Sequence, residues 1–322
     1  MARYFGIGKE SSYGVAVAPT VYIDPLNESL KGENVLLRQE AFIRRELSKI
    51  GAGPFRVSGD VEVVVIPDNI GKFLEGVFGT VNTTTSPSGD AYKHEFTVGS
   101  SLPSYTLEIG YDVGSYAAQI PGAAFNELSL EAPAKEFVTA RIGVVAKTIS
   151  LESLSTPTIT TGRPFVFHDG QVKIDGATVA NVEAIRITMS NNIDTDVFYI
   201  GSRTLGAIKP QGFDITGTMD ISFDSWDFFQ KFLGSSSATS PQDTLNSLSL
   251  ELTFTGEATG SSDAGYENKL LTIEVPEIYL SKDDIDISGR DRIVQKLEFT
   301  GVYNTTAGYA VKATLINTNS SP

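Results

Sequence analysis

The chain has 322 residues and a net charge of −14, with 25 Lys and Arg against 39 Asp and Glu, no cysteine and two histidines. Without cysteine there is no disulfide framework, thiolate nucleophile or Cys-ligated metal, and a His-dependent zinc site or Ser-His-Asp relay would have to use His94 or His168. The acidic balance and lack of a basic patch argue against phosphate-driven nucleic-acid binding, and no apolar run approaches a membrane-spanning helix.

Met1 to Tyr13 has no apolar core of a secretory signal, so a cytoplasmic site of synthesis is expected. Residues 1–34 are turn-rich and without a strong period. Within them, Tyr13 to Thr20 reads as an extended arm, either disordered or pinned by a neighbour. Val35 to Ile50 carries Arg38, Glu40, Arg44, Arg45, Glu46 and Lys49. It reads as a long hairpin or loop, equally a solvated face or a contact surface.

A strand–helix unit follows. Phe55, Val57, Val61, Val63 and Val65 alternate as in a half-buried strand. Ile70, Phe73, Leu74, Val77 and Phe78 then form one helical stripe, with Asp68 expected as N-cap and Gly79 as C-cap. The unit recurs. Phe213, Ile215, Met219, Ile221 and Phe223 repeat the strand at an offset of 158 residues, and Gly59 and Gly217 match at that offset. A second helix is expected from a Ser225 cap, with Trp226, Phe229, Phe232 and Leu233 as its stripe before Gly234. Recurrence of strand, glycine and helix together points to a duplicated domain.

Between the two units, Thr80 to Asp90 reads as a loop, and strands are expected at Tyr92–Val98, Ser104–Tyr111, Ala123–Glu131 and Glu136–Thr148. Residues 151–164, rich in Ser, Thr and Pro, read as a linker between a first domain (1–150) and a second (165–322). The second opens with an expected hairpin, Phe165–Gly170 into Gln171–Gly176, and a strand at Val182–Ser190. Val197 to Lys209 occupies the place of the earlier 35–52 stretch. Leu245–Thr253, Leu271–Leu280 and Ile293–Tyr303 close the chain as strands. The fold class is therefore mainly β: two tandem β-sandwich or split-barrel domains, each with one short flanking α-helix.

The chemistry-bearing patterns are weak. Asp284, Asp286, Ser288 and Gly289 fit the start of a calcium loop, but Gln295 stands where a bidentate Glu belongs, so a solvated strand turn is the better reading. Asn192, Asp194 and Asp196 read as Asx-capped turns. His94 lies in an alternating strand, where a structural role is the commoner one. No P-loop, dinucleotide fingerprint or nucleophile elbow is present, so no catalytic residue, cofactor or metal site is expected. A carbohydrate-binding or adhesion β-protein of a virion or cell surface is the alternative to a structural subunit. A β-rich hydrolase would need a pocket holding two carboxylates.

The order of motifs resembles the tail tube proteins of tailed bacterial and archaeal viruses. The resemblance rests on Lys9–Thr20, on Phe55–Gly79, on His94–Thr97 with Leu102–Glu108, and on Ser190–Asp194 through Ile200–Ser202 to Gly217 and Phe223. It implies a virion tail component, assembled in the host cytoplasm, whose domains pool strands into a barrel around a lumen. Six domains make a ring, so two domains per chain imply trimeric, pseudo-hexameric rings that stack into a tube. The lumen would conduct double-stranded DNA without specific binding, with tape-measure and tail-tip or terminator proteins as further partners and no membrane. The implied contact segments are 1–20, 35–54 and 191–212, with Tyr13, Val15, Val17, Arg38, Arg44, Arg45 and Arg203 as candidate contact residues. Glu62, Glu108, Asp220 and Glu251 are candidate lumen acids, because carboxylates on an inner wall would repel phosphates.

Overall fold

A computed structural model describes residues 3–40, 42–286 and 292–322. The chain is mainly β and antiparallel. The strands of the first half are β1 (Arg3–Lys9), β2 (Val21–Ile23), β3 (Asn27–Glu28), β4 (Lys31–Glu40), β5 (Leu47–Val64), β6 (Gly79–Thr85), β7 (Tyr92–Val98), β8 (Tyr105–Tyr111), β9 (Tyr116–Pro133), β10 (Thr139–Ala146) and β11 (Ser150–Ser153). Those of the second are β12 (Gly170–Ile174), β13 (Ala177–Thr178), β14 (Val182–Ser190), β15 (Asp214–Ser222), β16 (Leu248–Ala258), β17 (Asn268–Asp286), β18 (Val294–Gly301) and β19 (Lys312–Asn317). Helix α1 (Gly71–Phe78) follows β5 and helix α2 (Asp227–Leu233) follows β15.

One run of pairings passes through both halves: β3 and β4 beside β5, then β10, β9, β14, β15, β18 and the C-terminal part of β17. Two further sets fold over its apolar face. In the first half the order is β2–β1–β8–β9–β11. In the second it is β13–β12–β16–β17–β19–β7–β6, so the first-half hairpin β6–β7 extends a second-half sheet. The long strands β9 and β17 belong to both layers and change layer at a bulge, where Asn126 and Ser281 are the unpaired residues. The bulges fall at the same register, since Val144 pairs with Phe125 where Phe299 pairs with Leu280.

The alternating residues of β5 and β15 account for their burial: Val57, Val61 and Val63, like Ile215, Met219 and Ile221, face one continuous core. Gly217 is required by close approach, because a Cβ there would lie 2.2 Å from Phe299 Cζ and 2.6 Å from the Arg186 carbonyl. Helix α1 buries its expected stripe, with Phe73 against Phe125 at 5.2 Å between ring centres. It ends at Gly79, whose φ of 82° places it in the left-handed region a C-cap uses.

Several expectations need correction. Asp68 does not cap α1; its carboxylate pairs with Lys269 at 2.6 Å, and the helix begins after a turn in which Asn69 Oδ1 accepts from the Ile66 N–H. Helix α2 starts at Asp227 with none of its residues fully buried; Phe228 and Phe232 pack on the core while Trp226 is exposed. Residues 80–85 form strand rather than loop, and 150–153 form an edge strand at the start of the expected linker. Phe167–Asp169 is a 3-10 turn; the hairpin there joins β12 to β13 through Asp175 and Gly176, both at positive φ. Val197 to Lys209 holds no strand.

Candidate assembly surface

The through-running sheet has an apolar face in the core and a polar face outside. Alternation puts Asp60, Glu62, Glu127, Glu131, Asp214, Asp220, Asp284 and Glu298 on the polar face, with Arg141, Arg186, Lys282 and Lys296. With Glu33, Lys31 and Arg56 at the β4 end of the same face, acids outnumber bases nine to six. Three of the bases are spent on neighbours: Arg141 on Asp60 at 2.7 Å, Arg186 on Glu131 at 2.7 Å, and Lys282 on Asp284 and Glu298. Net negative charge therefore remains on this face, with Glu62 and Asp220 at matching places of β5 and β15.

The other two acids expected there lie elsewhere. Glu108 is not outward-facing: it is 3 % exposed on β8, accepts the Tyr4 hydroxyl and lies 3.3 Å from the Ser155 N–H. Burial and this carboxylate push the Tyr4 hydroxyl up to about 12. Glu251 occupies the matching place on β16, half-exposed on the outer side of the overlying layer and paired with Lys173 at 2.8 Å. Alternation alone cannot separate these acids from Glu62, because every strand of both layers has one outward face.

The sheet has two ends. At one, Ser281–Asp286 of β17 pairs only with β18 among the described residues. At the other, residues 27–33 pair only with β5. Unpaired edges of this kind invite another strand. Beyond Asn34, strands β4 and β5 leave the body as a long hairpin carrying Arg38, Arg44 and Arg45 and the exposed apolar side chains of Leu37, Phe42, Ile43 and Ile50. Its base is held by Arg203, which donates to the Gly53 carbonyl and Asn34 Oδ1 at 2.8 Å each and accepts from the Phe55 N–H. Arg203 is thus an intrachain clamp for the hairpin. Asp196, beside an Asx turn on Asp194, pairs with Arg56.

The N-terminal segment is not a free arm. β1 lies inside the overlying layer between β2 and β8. After it the buried Glu10 carboxylate accepts from the Gly14 and Gly122 N–H groups and the Ser104 and Thr106 hydroxyls, all within 2.8 Å. Tyr13 donates to the Leu205 carbonyl and lies under Lys147; Val17 donates its N–H to Thr106, and Val15 is exposed.

The two histidines lie apart. His94 is buried at the β7–β19 pairing, bonded to Thr83, Asn317 and the Asn319 carbonyl, and its pKa is lowered by burial. His168 is exposed beside Asp169. No group of His, Asp and Glu able to hold a metal exists among the described residues. Asp284 of the calcium-like sequence is on β17, and Ile287 to Gly289 of that sequence lie outside the described residues. A cavity of about 600 Å³ beside Thr20, Thr158 and Thr160 has Asp68 as its one acid, whereas one of about 380 Å³ on the polar face gathers Asp60, Glu62 and Glu131 around Arg141.

A family model described as phage tail tube protein matches residues 2–301. The chain belongs to the phage tail tube protein family. No curated protein sequence matches it. For a tail tube protein, the relevant sites are then surfaces that meet other copies. The sequence reading missed the two sheet ends at 27–33 and 281–286, which pair on one side only among the described residues. The repeat held the signal: strands matched at a constant offset must also have matching neighbours, and at these ends the described residues supply none.

Proposed function

We propose that this chain is the structural, non-catalytic subunit of a viral tail tube, built as two tandem domains with the boundary at residues 151–164. Three copies form a pseudo-hexameric ring, the through-running sheets join end to end into a barrel, and rings stack into a tube whose lumen conducts double-stranded DNA during ejection. The observation that carries this reading is the through-running sheet: β9 of the first half pairs directly with β14 of the second, while both outer ends are left unpaired among the described residues.

A sheet whose two open ends do not pair with each other closes into a barrel by adding copies. The polar face becomes the lumen wall. Its excess of carboxylates, Glu62 and Asp220 among them, keeps phosphates from adhering during passage. The β4–β5 hairpin, with Arg38, Arg44 and Arg45 beside exposed apolar residues, contacts the adjacent ring. Tape-measure and terminator proteins meet the lumen and the last ring.

Electron microscopy of the concentrated protein tests the reading. Hollow rings or tubes are expected, and a protein that stays monomeric at every concentration, with its hairpin intact, contradicts it.

A further inference from the structure

The junction between the halves is a template for the junction between copies. Within the chain, β14 pairs with β9 through Ile187↔Leu130, Thr188↔Ser129, Met189↔Leu128 and Ser190↔Glu127. The flanking registers identify the equivalents of each residue at the open ends. Thr188 and Met189 pair with Thr216 and Ile215 on β15, as Lys31 and Gly32 pair with Ser58 and Val57 on β5. Leu128 and Leu130 pair with Ile142 and Ala140 on β10, as Asp283 and Ile285 pair with Leu297 and Gln295 on β18.

We propose that the open edge of β17 pairs antiparallel with residues 30–33 of a second copy in one register: Leu30↔Ile285, Lys31↔Asp284, Gly32↔Asp283 and Glu33↔Lys282. This rests on the tube reading and gives it a residue-level join.

The charges support this register independently of the template. Lys31 falls opposite Asp284, and Glu33 opposite Lys282, each an attractive cross-strand pair; a slip of one residue sets Lys31 against Asp283 or Ile285 and turns the side chains to the wrong face, and a slip of two toward β17's start keeps the face but sets Lys31 against Lys282. The core-facing pair differs from its template. Inside the chain, Met189 and Leu128 fill this place and are buried. At the open end Asp283 is half-buried, bonded to the buried Gln295 at 2.7 Å, with its second oxygen unbonded among the described residues. Gly32 brings no side chain against it. The join between copies is thus more polar than the join within a chain, so the two are not interchangeable, and a copy cannot insert its residues 30–33 between β9 and β14 at equal gain.

The chain has no cysteine, which makes the test direct. The template side chains of Ser129 and Thr188 already touch, oxygen to oxygen at 2.9 Å. Lys31→Cys with Asp284→Cys in one chain, oxidised after assembly, is expected to move most of the protein into disulfide-linked multimers ending at closed trimers. Gly32→Cys with Asp284→Cys puts the thiols on opposite faces and is expected to stay unlinked. Separately, Lys31→Glu is expected to block assembly and Lys31→Glu with Asp284→Lys to restore it. Tubes that form while the 31/284 pair stays reduced and the 32/284 pair links overturn the register but leave the tube reading standing. No assembly by the unaltered chain overturns both.

Discussion

Arg186 and Glu131 form a 2.7 Å ion pair across the seam where β14 meets β9, directly above the buried contact of Ile187 with Leu130. The pair lies on the polar face and both partners are half-exposed, so its contribution is small, about 0–1 kcal/mol. The apolar residues beneath hold the halves together. Ile187→Ala or Leu130→Ala is expected to lower stability by about 2–5 kcal/mol in urea unfolding, and Arg186→Ala by about 1 kcal/mol or less. Equal losses would mean that the seam is held by charge.

Gly217→Ala is expected to destabilise by about 1–3 kcal/mol, because the added methyl meets both the Phe299 ring and the Arg186 carbonyl and only the ring can move. Thermal unfolding reads the effect. A partial recovery in Gly217→Ala with Phe299→Leu would locate the clash at the ring.

Glu10 ties four donors from three segments to one buried carboxylate. Glu10→Ala leaves those donors without their acceptor and is expected to lower stability by about 2–4 kcal/mol. It should also free residues 11–20 to proteolysis, mapped by the first cleavage sites. Cleavage confined to the β4–β5 hairpin would show that the segment is held by other contacts.

Asp283 has a carboxyl pushed up to about 6 by burial, partly offset by the Gln295 hydrogen bond and raised further by the adjacent Asp284. In the unfolded chain it ionises near its ordinary value of about 3.9. Between these values the folded chain binds more protons than the unfolded one, so this group lowers stability as pH rises from about 4 to 6. Asp283→Asn is expected to remove that downward slope and to be the more stable protein at pH 7. Denaturant midpoints across pH 4–7 check the sign; an unchanged slope in the variant contradicts it.

Deleting the exposed part of the β4–β5 hairpin, residues 36–51, is expected to leave the unfolding midpoint nearly unchanged, because those side chains contribute little to the core. It is expected to abolish stacking of rings. Long tubes from the shortened chain would assign stacking to other surfaces.

The elements legible in the sequence were those with one buried and one wet face. β5, β15 and α1 announce themselves because Val57, Ile215 and Phe73 recur at the right period. β1 carried no such signal: Tyr4, Phe5, Gly6 and Ile7 are all buried, so its pattern is neither alternating nor helical. β6 was hidden for the opposite reason. Its threonines are mostly exposed, and it is a strand because β7 offers it hydrogen bonds. Glu62 and Asp220 face outward as the alternation of β5 and β15 requires. Glu108 was misplaced because only tertiary structure reveals that Tyr4 covers it. The hairpin was visible as mixed charge, but its clamp by Arg203 depends on backbone carbonyls that composition does not encode.

Electron cryomicroscopy of the assembled protein at side-chain resolution tests the central claim most directly. The account predicts a hollow tube with three copies per ring, the polar faces inward, and Lys31 of one copy beside Asp284 of the next. Rings with another number of copies, or an assembly in which residues 281–285 remain an unpaired edge, would contradict it.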